Sequence, residues 1–260
     1  MSAALPGSLA GKRGLILGIA NEHSIATGCA KAFAAQGAVL AATYLNEKAK
    51  PFVAAVTDHL PCEIFLPCDV EAPGQLEAVF DAVAQHWGRL DFLLHSIAFA
   101  PAADLQGRVV DCSATGFARA MDISCHSFLR AARLAEPLMK DGGALLAMTY
   151  QGSERVIPHY GLMGPVKAAL ESVVRYVAVE LGPKGIRANA LSPGPIATRA
   201  ASGIAHFSDL LETATHASPE RRLVTIEDCG TLAAYLVSDA ARMLTGTIIP
   251  VDGGEHLLGV

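Results

Sequence analysis

Short, continuously apolar runs alternate with helix-patterned segments along almost the whole chain, and this alternation constrains the fold more than any other feature. The runs GLILGIA (14–20), AVLAATY (38–44), EIFLPCDV (63–70), LDFLLHSIA (90–98), GALLAMTY (143–150), IRANALSPGP (186–195) and GTIIPVDGG (246–254) have strand length. Between them, 24–37 reads as a helix closed by Gly37, and 72–88 places Leu76, Val79, Phe80 and Val83 on one helical face. Further helices are expected over roughly 113–140 and over 167–182, and loop plus helices between 195 and 246. Strands that are apolar throughout, not alternately, are buried on both faces. Alternation with helices then gives right-handed crossovers and an α/β fold: one doubly wound parallel sheet, Rossmann-like, with helices on both faces. No linker or composition break divides residues 1–260, so a single nucleotide-binding domain is expected, with substrate-binding loop and helices near 195–220.

Composition agrees with a well-buried core. Of 260 residues, 52% are hydrophobic and 17% charged, and the net charge is −5, which excludes a general polyanion binder. The six cysteines show no metal-like or C-x-x-C spacing and read as reduced thiols of a cytoplasmic protein. The N-terminal apolar run after Lys12 and Arg13 is too short for a signal or membrane segment. Neither nucleic acid nor membrane is expected as a partner, and no metal.

In such sheets ligands sit beyond the C-terminal ends of the strands. Chemistry-bearing residues cluster there: Gly18 to Ser24, Tyr44, Asp69, Ser96, Tyr150 and Pro193 to Pro195. The first strand runs into GIANEHSIATG, where Gly18 would let the backbone turn near a phosphate and Ser24 would cap the following helix, whose N-terminus attracts a pyrophosphate. Small Ala26 and Gly28 would let that helix pack on the sheet. A glycine turn with a serine cap is also a common structural connection. Asp69-Val70 suits an adenine, the carboxylate on its amino group and the valine on its face; a turn before Pro73 is the competing role. No acidic or arginine side chain follows Tyr44 at once, and Glu47 and Lys48 are ambiguous.

Tyr150, Tyr160 and Lys167 form the reacting end. A tyrosine and a lysine on one helix face suit a nucleotide-dependent reductase, where the common spacing is four; here Tyr160 precedes Lys167 by seven. On a helix seven residues give about 700° of rotation, so the two would still share a face, with about 1.5 Å more rise for each added residue. The phenol would then reach a reacting atom farther from the cofactor than a simple carbonyl.

These residues resemble a known family. G-x5-S-x-A (Gly18, Ser24, Ala26), Y-x9-Y-x6-K (Tyr150, Tyr160, Lys167) and the flanks HSIAFAP, GSERVIPHY, ALSPGPIATRAASGI, TIEDCG and VDGG are similar to those of the type I enoyl-acyl carrier protein reductases, a divergent branch of the short-chain dehydrogenase/reductases. The resemblance implies reduction of a trans-2-enoyl thioester in fatty acid biosynthesis by NADH, with NADPH possible, in a homotetramer that meets an acyl carrier protein. It implies that Tyr160 hydrogen-bonds the enolate oxygen, that Lys167 holds the nicotinamide ribose, and that Tyr150 assists in binding or proton supply. Cofactor contacts carried over by the resemblance are Gly18, Ser24, Ile25, Asp69, Val70, Ile97, Lys167, Ile196, Ala197, Thr198, Arg199 and Ala200. The adenosine-side position is Leu45. Ala100, Tyr160, Met163 and Phe207 are implied at the substrate, although plain core packing would equally explain Met163 and Phe207.

Four departures from the family pattern bear on function. Leu45 stands where relatives carry a polar or basic residue, which favours NADH over NADPH. Ala98 adds a methyl where many have glycine. Pro165 lies between Tyr160 and Lys167, and is comfortable only if the helix begins near Gly164. GIAHFSDLLE lacks the basic residues expected to meet an acidic carrier, so weaker carrier recognition follows, with coenzyme A thioesters better tolerated. An ordinary carbonyl or alcohol dehydrogenase would need a lysine four after its tyrosine, which neither Tyr150 nor Tyr160 has. A non-catalytic nucleotide-binding protein would have no need of the phenol.

Overall fold

The fold is known from a computed structural model that describes residues 8–198 and 207–258, with side chains in 207–217 described from 211 onward. Along the chain run β1 (Arg13–Leu17), α1 (Ile25–Ala35), β2 (Val39–Tyr44), α2 (Lys50–Thr57), β3 (Cys62–Pro67), α3 (Gln75–Trp87) and β4 (Phe92–His95). Then follow α4 (Ala102–Gln106), α5 (Ala114–Met121), α6 (Ser127–Ala135), β5 (Gly143–Met148), α7 (Met163–Leu181) and β6 (Ile186–Pro193). The chain continues with α8 (Phe207–Ala217), α9 (Ile226–Val237) and β7 (Ile248–Val251).

The strands form one parallel sheet in the order β3-β2-β1-β4-β5-β6-β7. The order of the strands reverses between β1 and β4, the point at which doubly wound folds open a crevice for ligand. In register, Leu15 faces Leu93 and Leu93 faces Leu145, and one residue on, Ile16 faces Leu94 and Leu94 faces Leu146. The pleat sends the two sets to opposite sides. Leu15, Leu93 and Leu145 pack with Phe80, Phe128 and Val174 of α3, α6 and α7, whereas Ile16, Leu94 and Leu146 pack with Phe33 and Ala233 of α1 and α9. A two-faced core explains why the strands carry no polar alternation.

Three expectations from the sequence are corrected. The helix placed over 113–140 is interrupted by a π-helical turn, Asp122–His126, between α5 and α6. There Ser124 Oγ accepts the Phe99 N–H (2.9 Å) and donates to the Phe99 carbonyl (3.0 Å), which ties the loop after β4 to the irregular turn. Gly28 does not mediate packing on the sheet. A Cβ at Gly28 would lie 2.0 Å from the Ile226 carbonyl oxygen, and one at Gly230 would lie 2.3 Å from that of Gly28, so α1 and α9 touch backbone to backbone. The third correction, to the helix carrying Tyr160, belongs with the site below. Two helices escaped the sequence reading, α2, begun by Lys50-Pro51, and the short α4; α9, one of the helices expected between 195 and 246, is begun by a Thr225–Asp228 capping box.

Neither backbone at the α1–α9 crossing can yield to a methyl group. Gly28→Ala is expected to lower stability by about 1–3 kcal/mol or more. Gly182, exposed with a helical φ of −52° and open space around its Cβ, is the control: Gly182→Ala is expected to be neutral or to stabilise by about 0.4–1 kcal/mol. Denaturant titration of both variants checks the contrast.

Candidate functional site

The crevice begins at Gly18. Its φ is +107°, and a Cβ there would lie 2.1 Å from the Ser96 carbonyl oxygen, so only glycine lets the ends of β1 and β4 meet this closely. Ser24 is the N-terminal flanking residue of α1, but its hydroxyl does not cap the helix amides. It accepts the Ala20 N–H (3.3 Å) and donates to the Asn21 carbonyl (2.8 Å), and Thr27 Oγ1 donates to the same carbonyl (2.6 Å). The serine therefore braces the loop and leaves the start of α1, at Ile25, without an acidic residue in its first turn. That is a fitting place for a pyrophosphate.

At the end of β2, Leu45 is 54% exposed and offers no charge. Two lysines follow, an exposed Lys48 and Lys50, whose ammonium sits 5.2 Å over the Tyr44 ring and 3.5 Å from Glu47; the Tyr44 hydroxyl also donates to Glu47 (3.2 Å). At the end of β3, Asp69 Oδ1 accepts the Glu71 N–H (2.9 Å), so the turn role is present. Val70 is buried, and its carbonyl accepts from Arg130 (2.6 Å). After β4, Ile97 and Ala100 are half-buried and Ala98 is exposed. After β6, Ile196 and Thr198 are half-buried in a tight turn closed by the Thr198 N–H on the Ile196 carbonyl (2.8 Å), with Ala197 exposed. Arg199, Ala200 and the SGIAH segment lie outside the described residues, as does the Phe207 side chain.

The reacting end lies beyond β5. Helix α7 begins at Met163, so Tyr160 precedes the helix and does not share its face with Lys167; the shared-face expectation is corrected, and of the two helix starts left open by the sequence the one near Gly164 holds. Pro165 falls in the first turn, where its missing N–H costs nothing. Tyr160 is presented from an irregular turn: His159 before it has φ +64° and Gly161 after it +47°. Its ring packs edge-on against Tyr150, with centroids 4.9 Å apart and planes at 69°. The ring lies so close to Gly152 that a Cβ there would sit 2.5 Å from it. Met163 is buried with Leu162 and Val166 in the core, as plain packing would have it.

Lys167 is 5% exposed, and its ammonium donates to the Met148 carbonyl (2.7 Å) at the C-terminal end of β5. Burial draws its pKa down to about 8, against the opposing pull of Cys125 and Glu171. Burial pushes both phenols up, Tyr150 to about 12 and Tyr160 further, so both keep their protons near neutrality. The Tyr150 hydroxyl is buried and has no hydrogen-bond partner among the described residues, a group poised for a ligand.

Beneath these residues lie polar side chains that the sequence reading did not single out. Thr149 Oγ1 donates to Glu171 Oε1 (2.7 Å), and His95 Nε2 meets Ser127 Oγ (2.7 Å). Gln151 Nε2 donates to Glu255 Oε1 (2.8 Å) beside Tyr150. Only Glu171 carried a sequence signal, its place four residues after Lys167 on the same helix.

The comparisons with known proteins agree with this geometry. The family model described as enoyl-(acyl carrier protein) reductase matches residues 18–256. The chain is 49% identical to enoyl-[acyl-carrier-protein] reductase [NADH] 2 of Rhizobium meliloti, over 96% of this chain and 94% of that protein. It superposes with a TM-score of 0.93 on the enoyl-(acyl-carrier-protein) reductase of Anaplasma phagocytophilum in complex with NAD, at 46% identity, over 97% of this chain and 96% of the other. The Bacillus cereus enoyl-acyl carrier protein reductase with NADP+ and an indole naphthyridinone gives a TM-score of 0.94 at 42% identity, over 97% of this chain and 99% of that one. With family model, relatives and fold in agreement over nearly its whole length, the chain belongs to the enoyl-(acyl carrier protein) reductase family.

Proposed function

We propose that the chain reduces the trans-2 double bond of enoyl thioesters bound to acyl carrier protein, with NADH, as a step of fatty acid biosynthesis. The observation that carries this reading is the convergence of Tyr150, Tyr160 and Lys167 beyond β5, next to the crevice that Gly18 and Ser96 form in a chain of this family. When bound, the dinucleotide supplies the hydride that adds to the substrate β-carbon. The protein's part is to hold charge and position. Tyr160, kept protonated by burial, donates a hydrogen bond to the thioester oxygen as it gains enolate charge. Lys167 turns its ammonium to the nicotinamide ribose hydroxyls, and the unpartnered Tyr150 hydroxyl serves the substrate or the incoming α-proton.

Gly18, Ser24, Ile25, Asp69, Val70, Ile97 and Ile196–Ala200 would line the dinucleotide, and Ala100 and Phe207 the acyl chain. NADH is favoured over NADPH because Leu45 is uncharged and Lys50 is engaged by Glu47, which leaves little to meet a 2′-phosphate. The whole chain would act as one nucleotide-binding domain in the cytoplasm; no described helix is long and apolar enough to cross a membrane. A homotetramer is supported by large apolar side chains left exposed on adjacent helices: Phe117 and Leu129 on α5 and α6, and Tyr176 (70% exposed) and Val179 on α7.

Rates of NADH oxidation with a short enoyl thioester, with a ketone, and with neither test the reading; turnover only with the enoyl thioester is expected. Tyr160→Phe should lower kcat by about 10²–10³ while NADH still binds, because one donor to the enolate is lost. Native kcat in that variant would refute its role.

Carrier recognition follows from charge around the substrate loop. Arg222 is committed to Glu220 (2.9 Å) and Asp228 (2.9 Å), and Glu212 is exposed on α8, so this face offers an acidic carrier few free cations. Replacing Ser208 and Asp209 with lysine should raise kcat/KM for carrier-bound substrate at low salt and leave a simple thioester unchanged. A steep loss of native carrier-substrate kcat/KM with added salt would show that the basic patch lies elsewhere.

A further inference from the structure

The buried polar residues beneath Lys167 have no assigned part in the reaction, and one of them is a carboxylate. Glu171 lies four residues after Lys167 on α7, on the same helical face, and only 3% of it is exposed. The end of β5 grips both side chains. The Met148 carbonyl accepts from the Lys167 ammonium (2.7 Å), and the hydroxyl of the next residue, Thr149, donates to the Glu171 carboxylate (2.7 Å). The ammonium and the carboxylate are thus anchored to consecutive residues of one strand end, near each other yet not in direct contact.

We propose that Glu171 is a positioning residue for the reductase reaction: its buried carboxylate, fixed by Thr149 one helical turn below Lys167, keeps the lysine charged for the cofactor ribose. This rests on the reading of Lys167 as the ribose ligand.

The other groups that face Lys167 are neutral. Cys125, from the π-helical turn, has a thiol that burial pushes above its ordinary value of 9.0. His95, from β4, is brought down to about 3 by burial and by the charge of Lys167, so its imidazole is uncharged. The residues that β6 and α6 pack on this side of the sheet, Ile186, Ala188, Ala190, Phe128 and Ala131, are apolar. Cys125 opposes the burial that draws Lys167 down to about 8 only as a thiolate, so with its thiol protonated Glu171 is the charge that does so near neutrality. The same charge faces Tyr160 and discourages loss of the phenol proton. One buried anion therefore favours the proton-bearing, hydrogen-bond-donating form of both side chains.

The sign of the pH dependence follows. Lys167 is charged below its pKa and neutral above it, so cofactor affinity declines through the region around pH 8 in the native enzyme. With the carboxylate removed, the ammonium gives up its proton at lower pH. NADH affinity, read by fluorescence titration from pH 6 to 9, tests this in four variants. In Glu171→Gln the alkaline decline should move down by about half a pH unit or more, with near-native affinity at pH 6 and about twofold or more weaker binding at pH 8. Glu171→Asp, which restores the charge, should move the decline back. Thr149→Val, which strips the carboxylate of its donor, should shift it in the same direction as Glu171→Gln and decides the matter if that variant does not fold. Lys167→Ala should bind weakly at every pH. If Lys167→Ala binds as the native enzyme does, the ribose role itself fails. If it binds weakly while Glu171→Gln and Thr149→Val track the native curve, or if native affinity is flat from pH 6 to 9, Glu171 does not set the charge of Lys167.

Discussion

A lysine ammonium buried at the end of a parallel sheet is costly unless the structure around it is arranged to hold it. Among the described residues Lys167 has one fixed acceptor, the carbonyl of Met148, and that acceptor exists only because β5 ends there, between β4 and β6. Shortening or shifting β5 by a residue would turn the carbonyl away and leave a buried charge without a partner, which costs several kcal/mol. The register of β5 against β4, the start of α7 and the position of Thr149 are therefore tied to one hydrogen bond. The apolar faces of the sheet supply most of the stability, but on the proposed reading this bond fixes where the chemistry can be.

Close backbone approach is the second constraint, and it recurs at each place where elements meet around the crevice. Gly18 brings β1 to the carbonyl of Ser96, Gly28 brings α1 to α9, and Gly152 lets the Tyr160 ring approach the chain after β5. Each contact moves an element nearer the site than a side chain would permit.

The fold was readable because its cause is local: apolar runs of strand length, separated by helices, have few other solutions. The Tyr160–Lys167 pair was readable as a spacing, but its geometry was not. The turn before α7 depends on φ +64° at His159, a conformation that histidine's own preferences do not announce. The π-helical turn at Asp122–His126 was hidden for a similar reason, since its five residues have ordinary helical character and the bulge is fixed by the Ser124 contacts with Phe99, 25 residues away. Ser24 looked like a cap because type and place were right. The loop it closes claimed its hydroxyl first. Side chains set by neighbours distant in sequence, such as Thr149 on Glu171, leave no pattern to read.

The protonation of the site argues for its direction of use. A dehydrogenase that oxidises alcohols needs a group that accepts a proton near neutral pH, and that group must sit within reach of the hydroxyl. Tyr160 is unsuited to this: burial, Tyr150 and Glu171 all raise its pKa, and the lysine lies beyond the turn that separates Tyr160 from α7. What the site offers is a set of proton-bearing donors, Tyr160, Tyr150 and Lys167, held in a low-dielectric pocket with a neutral His95 beneath them. Donors in such a pocket stabilise negative charge as it appears on an oxygen and do little for a group that must lose a proton. An enolate forming on a thioester carbonyl presents that kind of charge. Tyr160 lies before the helix and against Tyr150, and on the proposed reading this placement makes the pair one that stabilises an anion and does not exchange a proton.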